Sequence, residues 1–392
     1  MMRAILLVAL AATACVDHNG PITGTQSLKV ELTLPADPGS ITNRLADGAR
    51  AVSFTITAYD ADGKIDTTFT NPLQAYVSYL GTLTPYFGGT PFAVVNMVAG
   101  KGTVSATLPP VFGPTTVWFD DSADATATYA TGVSPTLWYR DPYISDIQTP
   151  ASEAALNALT NSPLENKNVS VQITRYGARG RLVITSRFAQ GYTLADVQCA
   201  DNNGSPPCTS QAYDSIDVFS YSAPQDQNKR FLNEGQIVDG FAGGITNFDG
   251  LIEVGFPQTF VTGLPAICLA CEPVPVKVDA SNAAATDWFL NPINFKRHQS
   301  AAIELDNAKV CDLDSDYMTF KQWKVDPAGI GGNCKSNKRV LNVISNASLD
   351  LDPATIVGKT LPRIVGVLRP IMLPGFNVWI IYPRSMADIT VP

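Results

Sequence analysis

Six cysteines carry the most specific chemistry in this chain: Cys199, Cys208, Cys268, Cys271, Cys311 and Cys334. An even set suits three disulfides in an exported protein. Cys199 and Cys208 enclose a polar loop, Asp201 to Pro207, between two strand-like runs, and make one pair. The other four allow three pairings, and spacing does not choose among them. The competing chemistry is a four-thiolate zinc site built on Cys268 and Cys271. A structural zinc ribbon uses a second close-spaced pair, and Cys311 and Cys334 lie far apart, so disulfides are expected.

Carboxylates give a weaker signal. Asp312, Asp314 and Asp316 alternate as in the opening of a calcium loop. Tyr317 stands where an EF-hand needs glycine, and Trp323 where it needs glutamate, so an EF-hand is excluded. A looser structural calcium site on Asp312, Asp314 and Asp316 is the alternative, and the same holds at Asp120, Asp121 and Asp124 and at Asp60 and Asp62. Turns in which Asp bonds its own backbone are the expected reading at all three, so no cofactor is expected. Glu234, Glu253 and Glu304 offer no pair placed for glycoside hydrolysis. His298 and Ser300 sit two apart, but no nucleophile elbow surrounds any serine, and His298 reads as a solvated loop residue. No phosphate-binding glycine loop is present. No residue is therefore assigned a catalytic role, and the chain is not expected to be an enzyme.

Aromatic and basic residues leave one binding candidate. Phe219 and Tyr221 share a strand face, opposite Ile216 and Val218, and Arg181 and Arg187 lie in a basic stretch with Lys167, Arg175 and Arg179. Lys335, Lys338 and Arg339 form a second small cluster. Such a set can stack the bases of a strand of nucleic acid or the rings of an oligosaccharide. Strand aromatics usually pack into cores or between domains, and packing is the expected fate of Phe219 and Tyr221. The formal net charge of −8 over 392 residues argues against coating duplex nucleic acid.

The elements that must hold these residues are strands. Leu28, Val30, Leu32 and Leu34 alternate on one face of Ser27–Leu34. Val52 to Ala58 repeats the pattern and runs into a turn at Asp60 to Gly63. Further strands are expected at Gln74–Leu80, Ala93–Val98, Gly102–Leu108 and Thr115–Phe119, and one short helix at Ser152–Leu159. An internal repeat follows. Gly235 to Gly243, leading to Pro257, parallels Gly358 to Gly366, leading to Pro383. The strand pair Arg181–Ala189 and Ser215–Tyr221 precedes the first copy. Ile303–Val310, with Trp323–Val325 and Val340–Ser345, precedes the second. A repeated unit of this kind calls for one fold per copy.

Three resemblances follow from these residues. Arg3, the apolar run Ala4 to Ala12, and Ala12-Thr13-Ala14-Cys15 resemble a bacterial lipoprotein signal, which implies a lipidated Cys15 as the first mature residue. Val16 rather than aspartate then favours outer-membrane delivery. The turn at Asp60 to Lys64, with Gly100–Pro109 and Gly113–Asp121, resembles the bacterial immunoglobulin-like domains of surface proteins, commonly spacers or adhesion modules. Arg181–Asp196, Tyr213–Ser222 and Glu234–Pro257, with their second-copy counterparts, resemble OB-fold-like modules attached to secreted bacterial nucleases.

The expected class is all-β: an Ig-like β-sandwich followed by two OB-like β-barrels. The expected parts are a signal peptide (1–14), a tether (15–26), the sandwich (27–142), a linker (143–168), barrel one (169–262), a linker (263–299) and barrel two (300–392). The implied partners are a membrane, through the lipid on Cys15, and another envelope protein or an extracellular polymer. The implied place is the cell envelope, on the outer membrane and facing the periplasm or the cell surface. The expected role is a surface binding or interaction module. The alternative is binding of single-stranded nucleic acid or oligosaccharide through Arg181, Arg187, Phe219 and Tyr221, and a third reading is a hydrolase with an unrecognised site.

Overall fold

A computed structural model describes residues 24–79, 90–123, 130–150, 152–153, 162–334, 339–345, 349–373 and 376–392. Cys15 and the signal segment, His18, Asp124, most of the expected helix at 152–159, Lys335 and Lys338 lie outside the described residues. The protein is all-β in character, and two compact units make it up: residues up to Pro109 with Thr115–Trp138, and Pro110–Pro114 with Tyr139–Pro392.

The first unit holds two sheets. β1 (Ser27–Leu34), β2 (Ala51–Tyr59) and β5 (Lys101–Thr107) form one, in the order β1-β2-β5. β3 (Leu73–Tyr79), β4 (Ala93–Val95), β6 (Pro114–Asp120) and β7 (Thr131–Val133) form the other, in the order β4-β3-β6-β7, with β8 (Leu137–Trp138) also on β6. Alternation buries Val52, Phe54, Ile56 and Ala58 along β2. The Phe54 ring meets Phe119 of β6 edge-on, with centroids 5.3 Å apart, so apolar residues of both sheets share one core. β1 departs from its expected face. Leu28 and Val30 are buried, but a bulge after Leu32 shifts the register and Leu34 turns out to solvent. The expected turn forms: Asp60 Oδ1 accepts from the amides of Asp62 and Lys64, and Gly63 takes φ +74°.

The second unit contains two rings of strands with one order, the second closed and the first interrupted in its fourth strand. α1 (Ile144–Gln148) precedes β9 (Asn168–Val171), β10 (Gly180–Phe188), β11 (Gly191–Cys199), β12 (Cys208–Thr209) and β13 (Ser215–Phe219). β14 (Gln236–Val238), β15 (Gly240–Phe248), β16 (Leu251–Phe260) and β17 (Ala266–Ile267) complete the first half. The second half has β18 (Val276–Lys277), α2 (Ile293–Arg297), β19 (Ala302–Val310), α3 (Ser315–Phe320), β20 (Gln322–Asp326) and β21 (Leu341–Ile344). It ends with β22 (Thr360–Leu373), β23 (Phe376–Tyr382) and β24 (Ile389–Thr390).

In the second half β19-β20-β21-β23-β22 returns to β19 and closes a five-stranded barrel, with a parallel contact only between β21 and β23. The first half follows the same path. β10 pairs β11, β11 pairs β13, and β13 runs parallel to β16. The fourth strand is broken at Asp239: β15 pairs β16, while β14 pairs β10. The repeated glycines have matching reasons. Gly235 and Gly358 both hold positive φ, at +70° and +72°. A Cβ on Gly243 would meet Val254 Cγ1 at 2.5 Å, and one on Gly366 would meet Ile381 Cγ2 at 2.6 Å. Val254 and Ile381 are equivalent, each on the strand that runs parallel to its ring's third strand.

The expected linkers are built into the structure. Trp288 and Phe295, from 263–299, belong to the core of the second ring with Trp323, Ile303 and Leu368. Ile144 and Ile147 of α1 are fully buried, and helix forms at Ile144–Gln148, ahead of the stretch expected to be helical. The two rings are therefore halves of one compact unit, not domains on a string.

Candidate functional site

The six cysteines pair as Cys199–Cys208, Cys268–Cys271 and Cys311–Cys334. Cys268 and Cys271 are thus joined to each other, which removes the zinc alternative. Among the described residues, no group of three or more His, Cys, Asp or Glu is gathered so that it could hold a metal ion. Asp314 and Asp316 do not converge on a vacant centre. Both carboxylates contact the Lys324 ammonium at 2.6 Å, and Asp314 caps α3 by accepting from the Asp316 amide. Asp312 faces Gly332 through its amide. The Lys324 ammonium, from the next strand, pairs with both the Asp314 and the Asp316 carboxylates.

Carboxylates and His298 are arranged for structure. Glu304 pairs with Arg363 at 2.6 Å and Lys277 at 3.1 Å. Glu234 accepts from the Arg187 amide. His298 is not solvated: its ring stacks on Trp288 at 5.1 Å, and burial pushes its pKa down to about 4, so it is neutral near pH 7. Two clusters of buried acids lie deeper. Asp217 and Glu253 face each other across the parallel β13–β16 contact. Arg369 Nη2 reaches Asp217 Oδ2 at 2.6 Å, and its guanidinium lies over the Phe188 ring at 4.2 Å. Burial raises Asp217, and burial with the neighbouring Asp217 charge pushes Glu253 up to about 7. Asp196 and Asp214 form the other cluster, held by Thr174, Arg175 and Tyr176, and burial lifts Asp196 to about 7. None of these four acids is among the lining residues of the pocket beside Ser220 and Pro257.

The surface feature that stands out is aromatic. β13 delivers Phe219, and the chain beyond it delivers Tyr221, while Ile216 and Val218 point into the core. Phe219 and Tyr221 meet edge-on with centroids 5.2 Å apart. A third ring, Phe256, lies 5.2 Å from Tyr221. Tyr221 is 68% exposed and Phe256 is 78% exposed, so packing is not the fate of this face. Phe256 is presented by a bulge in which Phe256 and Pro257 together oppose Gly243. Its backbone is left-handed, at φ +49°, a conformation that costs a side-chain-bearing residue about 1–2 kcal/mol.

A pocket of ≈ 230 Å³ adjoins this trio. Ser220 and Ser222, which flank Tyr221, line it together with Pro257, the residue after Phe256. Tyr192 and Thr259 share a buried hydroxyl contact of 2.6 Å at its floor. The remaining lining includes Gln225, Asp226, Lys229 and Gln258.

Of the four expected ligand residues, Phe219 and Tyr221 come together, and the two arginines turn elsewhere. Arg181 donates to the carbonyls of Ala178, Gly180 and Asn202, and Arg187 to that of Leu232. Phe256 escaped sequence reasoning. Its signal was the repeat: Val254-Gly255-Phe256-Pro257 has one residue more than Ile381-Tyr382-Pro383. No protein family, curated protein or solved structure matches this chain.

Proposed function

We propose that this chain is a non-catalytic binding module of the bacterial cell envelope, anchored to the outer membrane by lipid on Cys15. In this reading residues 27–142 are an Ig-like spacer, and the two rings of the C-terminal unit are OB-like barrels, the first of which carries the ligand. A five-stranded ring closed by one parallel contact suits the Greek-key barrel of that fold. Three disulfides favour an oxidising compartment.

The single observation that carries the binding role is the aromatic trio, in which Tyr221 and Phe256 are exposed beside a half-buried Phe219. Contiguous apolar surface on a soluble face commonly marks an interaction site. A phenylalanine held at positive φ in water returns nothing to the core, so its place is explained by what it touches outside. Sequence-tolerant stacking on such rings serves extended polymers, whether single-stranded nucleic acid or oligosaccharide.

The test is titration of the purified full-length chain with oligo(dT) and with oligosaccharides, in parallel with the double variant Tyr221→Ala/Phe256→Ala. Binding of either polymer that falls at least tenfold in the variant supports the role. Binding that survives the variant, or its complete absence, sinks it.

A further inference from the structure

We infer that the polymer is a neutral oligosaccharide, one of whose rings lies on Tyr221 and Phe256 while its hydroxyls enter the adjoining pocket. This rests on the trio being the ligand face, and adds the class of ligand.

The argument is one of charge and donor type. A strand of nucleic acid brings one phosphate per nucleotide, and its binding grooves are lined with Lys and Arg. The pocket beside the trio is lined mainly by hydroxyl and amide groups: Ser220, Ser222, Gln225, Gln258 and Thr259. Among its described lining residues Lys229 is the one cation. The one acid there, Asp226, is already used, bonded to Arg230 Nε at 2.7 Å and to the amides of Asn228 and Arg230. The arginines that a basic groove would need, Arg181 and Arg187, are not among the residues lining this pocket, and their guanidinium groups donate to backbone carbonyls elsewhere.

A pyranose fits what is left. Its axial C–H groups form a weakly positive, apolar face that packs on the negative face of an aromatic ring. Its rim is a set of hydroxyls, each donor and acceptor, matched by side-chain amides that also do both. The side chains of Gln225 and Gln258 are exposed and make no hydrogen bond to the described residues, so they are available to such a rim. The pocket, at ≈ 230 Å³, takes the hydroxyl edge of the one sugar that lies on Tyr221 and Phe256. The second ring has no counterpart: without the bulge, Tyr382 and Pro383 follow Ile381 directly, and no residue takes the place of Phe256. One ligand per chain is therefore expected.

The probes are cellohexaose, maltohexaose and chitotetraose, with oligo(dT) in parallel, titrated calorimetrically into the full-length chain at low and moderate salt. The expected result is one-to-one binding of at least one sugar, unchanged by salt. It should weaken at least tenfold in Tyr221→Ala and several-fold in Gln258→Ala, whose exposed positions leave folding intact. Salt-sensitive binding of oligo(dT) that is lost in Tyr221→Ala, with no sugar bound, overturns the sugar assignment and leaves the aromatic face standing. No binding of any probe overturns both.

Discussion

Arg369 of the second ring places its guanidinium 2.6 Å from the Asp217 carboxylate of the first, with both side chains largely withdrawn from water. The pair is one of several ties across this seam. Arg384 reaches Glu272 at 2.6 Å and the Thr185 carbonyl at 2.8 Å, and the Met372 amide donates to Asp249 O at 2.7 Å. Burying two charges costs several kcal/mol per ion before their attraction repays it, so such a pair is weak evidence of net stabilisation. Its strength lies in what happens when one member goes.

Arg369→Met takes away the cation that opposes the effect of burial on Asp217 and leaves that buried carboxyl without its partner in the seam. The expected loss is about 3–5 kcal/mol, read as a lower denaturant midpoint. Arg369→Met combined with Asp217→Leu removes both charges and should recover most of that loss. If the single variant is as stable as the parent, the pair does not hold the seam.

Glu253 and Asp196 dictate a pH dependence. Each titrates near 7 in the folded state, well above its unfolded value, so the folded chain binds protons more tightly than the unfolded one. Their stabilising contribution is complete below about pH 4 and is lost as pH rises towards about 7. His298, lowered to about 4, acts in the opposite sense between about pH 6.5 and 4. The clean reading is the difference between parent and Glu253→Gln. The variant should lose less stability than the parent between pH 5 and pH 8, measured by urea unfolding. Parallel profiles would mean that Glu253 is ionised throughout.

The disulfides should not contribute equally. Cys311–Cys334 spans 23 residues and Cys268–Cys271 spans 3, so the first removes far more freedom from the unfolded chain. Cys311→Ser/Cys334→Ser should cost about 3 kcal/mol, and Cys268→Ser/Cys271→Ser distinctly less. Differential scanning calorimetry of the two variants decides the order.

Local chemistry was legible in the sequence, and long-range chemistry was not. Alternation placed β2 to within a residue, because a half-buried strand writes its two faces into neighbouring positions, and the repeat placed β10 and β19 as closely. The matched glycines revealed the repeated ring, because both must admit a partner strand's Val254 or Ile381. Lys324 lies 8 residues beyond Asp316, on the next strand, and its contact with that acid could not be read from a run of aspartates. Trp288 and Phe295 looked like parts of a linker because nothing local announces docking onto a distant barrel. Leu34 and Phe256 fail the alternation for one reason: a bulge shifts the pleat by a residue, and what should point inward points out.

Phe256 offers the sharpest separation of stability from function. Its left-handed backbone favours glycine, and its exposed ring buries little that folding would miss. Phe256→Gly therefore relieves strain on one side and frees the unfolded chain on the other. Relief of about 1–2 kcal/mol exceeds a glycine entropy cost of roughly 0.5–1 kcal/mol, so the variant should be as stable as the parent or slightly more so. A residue kept for packing would behave in the opposite way and cost several kcal/mol on truncation. If Phe256→Gly melts at or above the parent temperature yet binds the polymer at least tenfold more weakly, the ring is there for its ligand. If it melts well below the parent, the bulge is a packing device and Phe256 leaves the binding face.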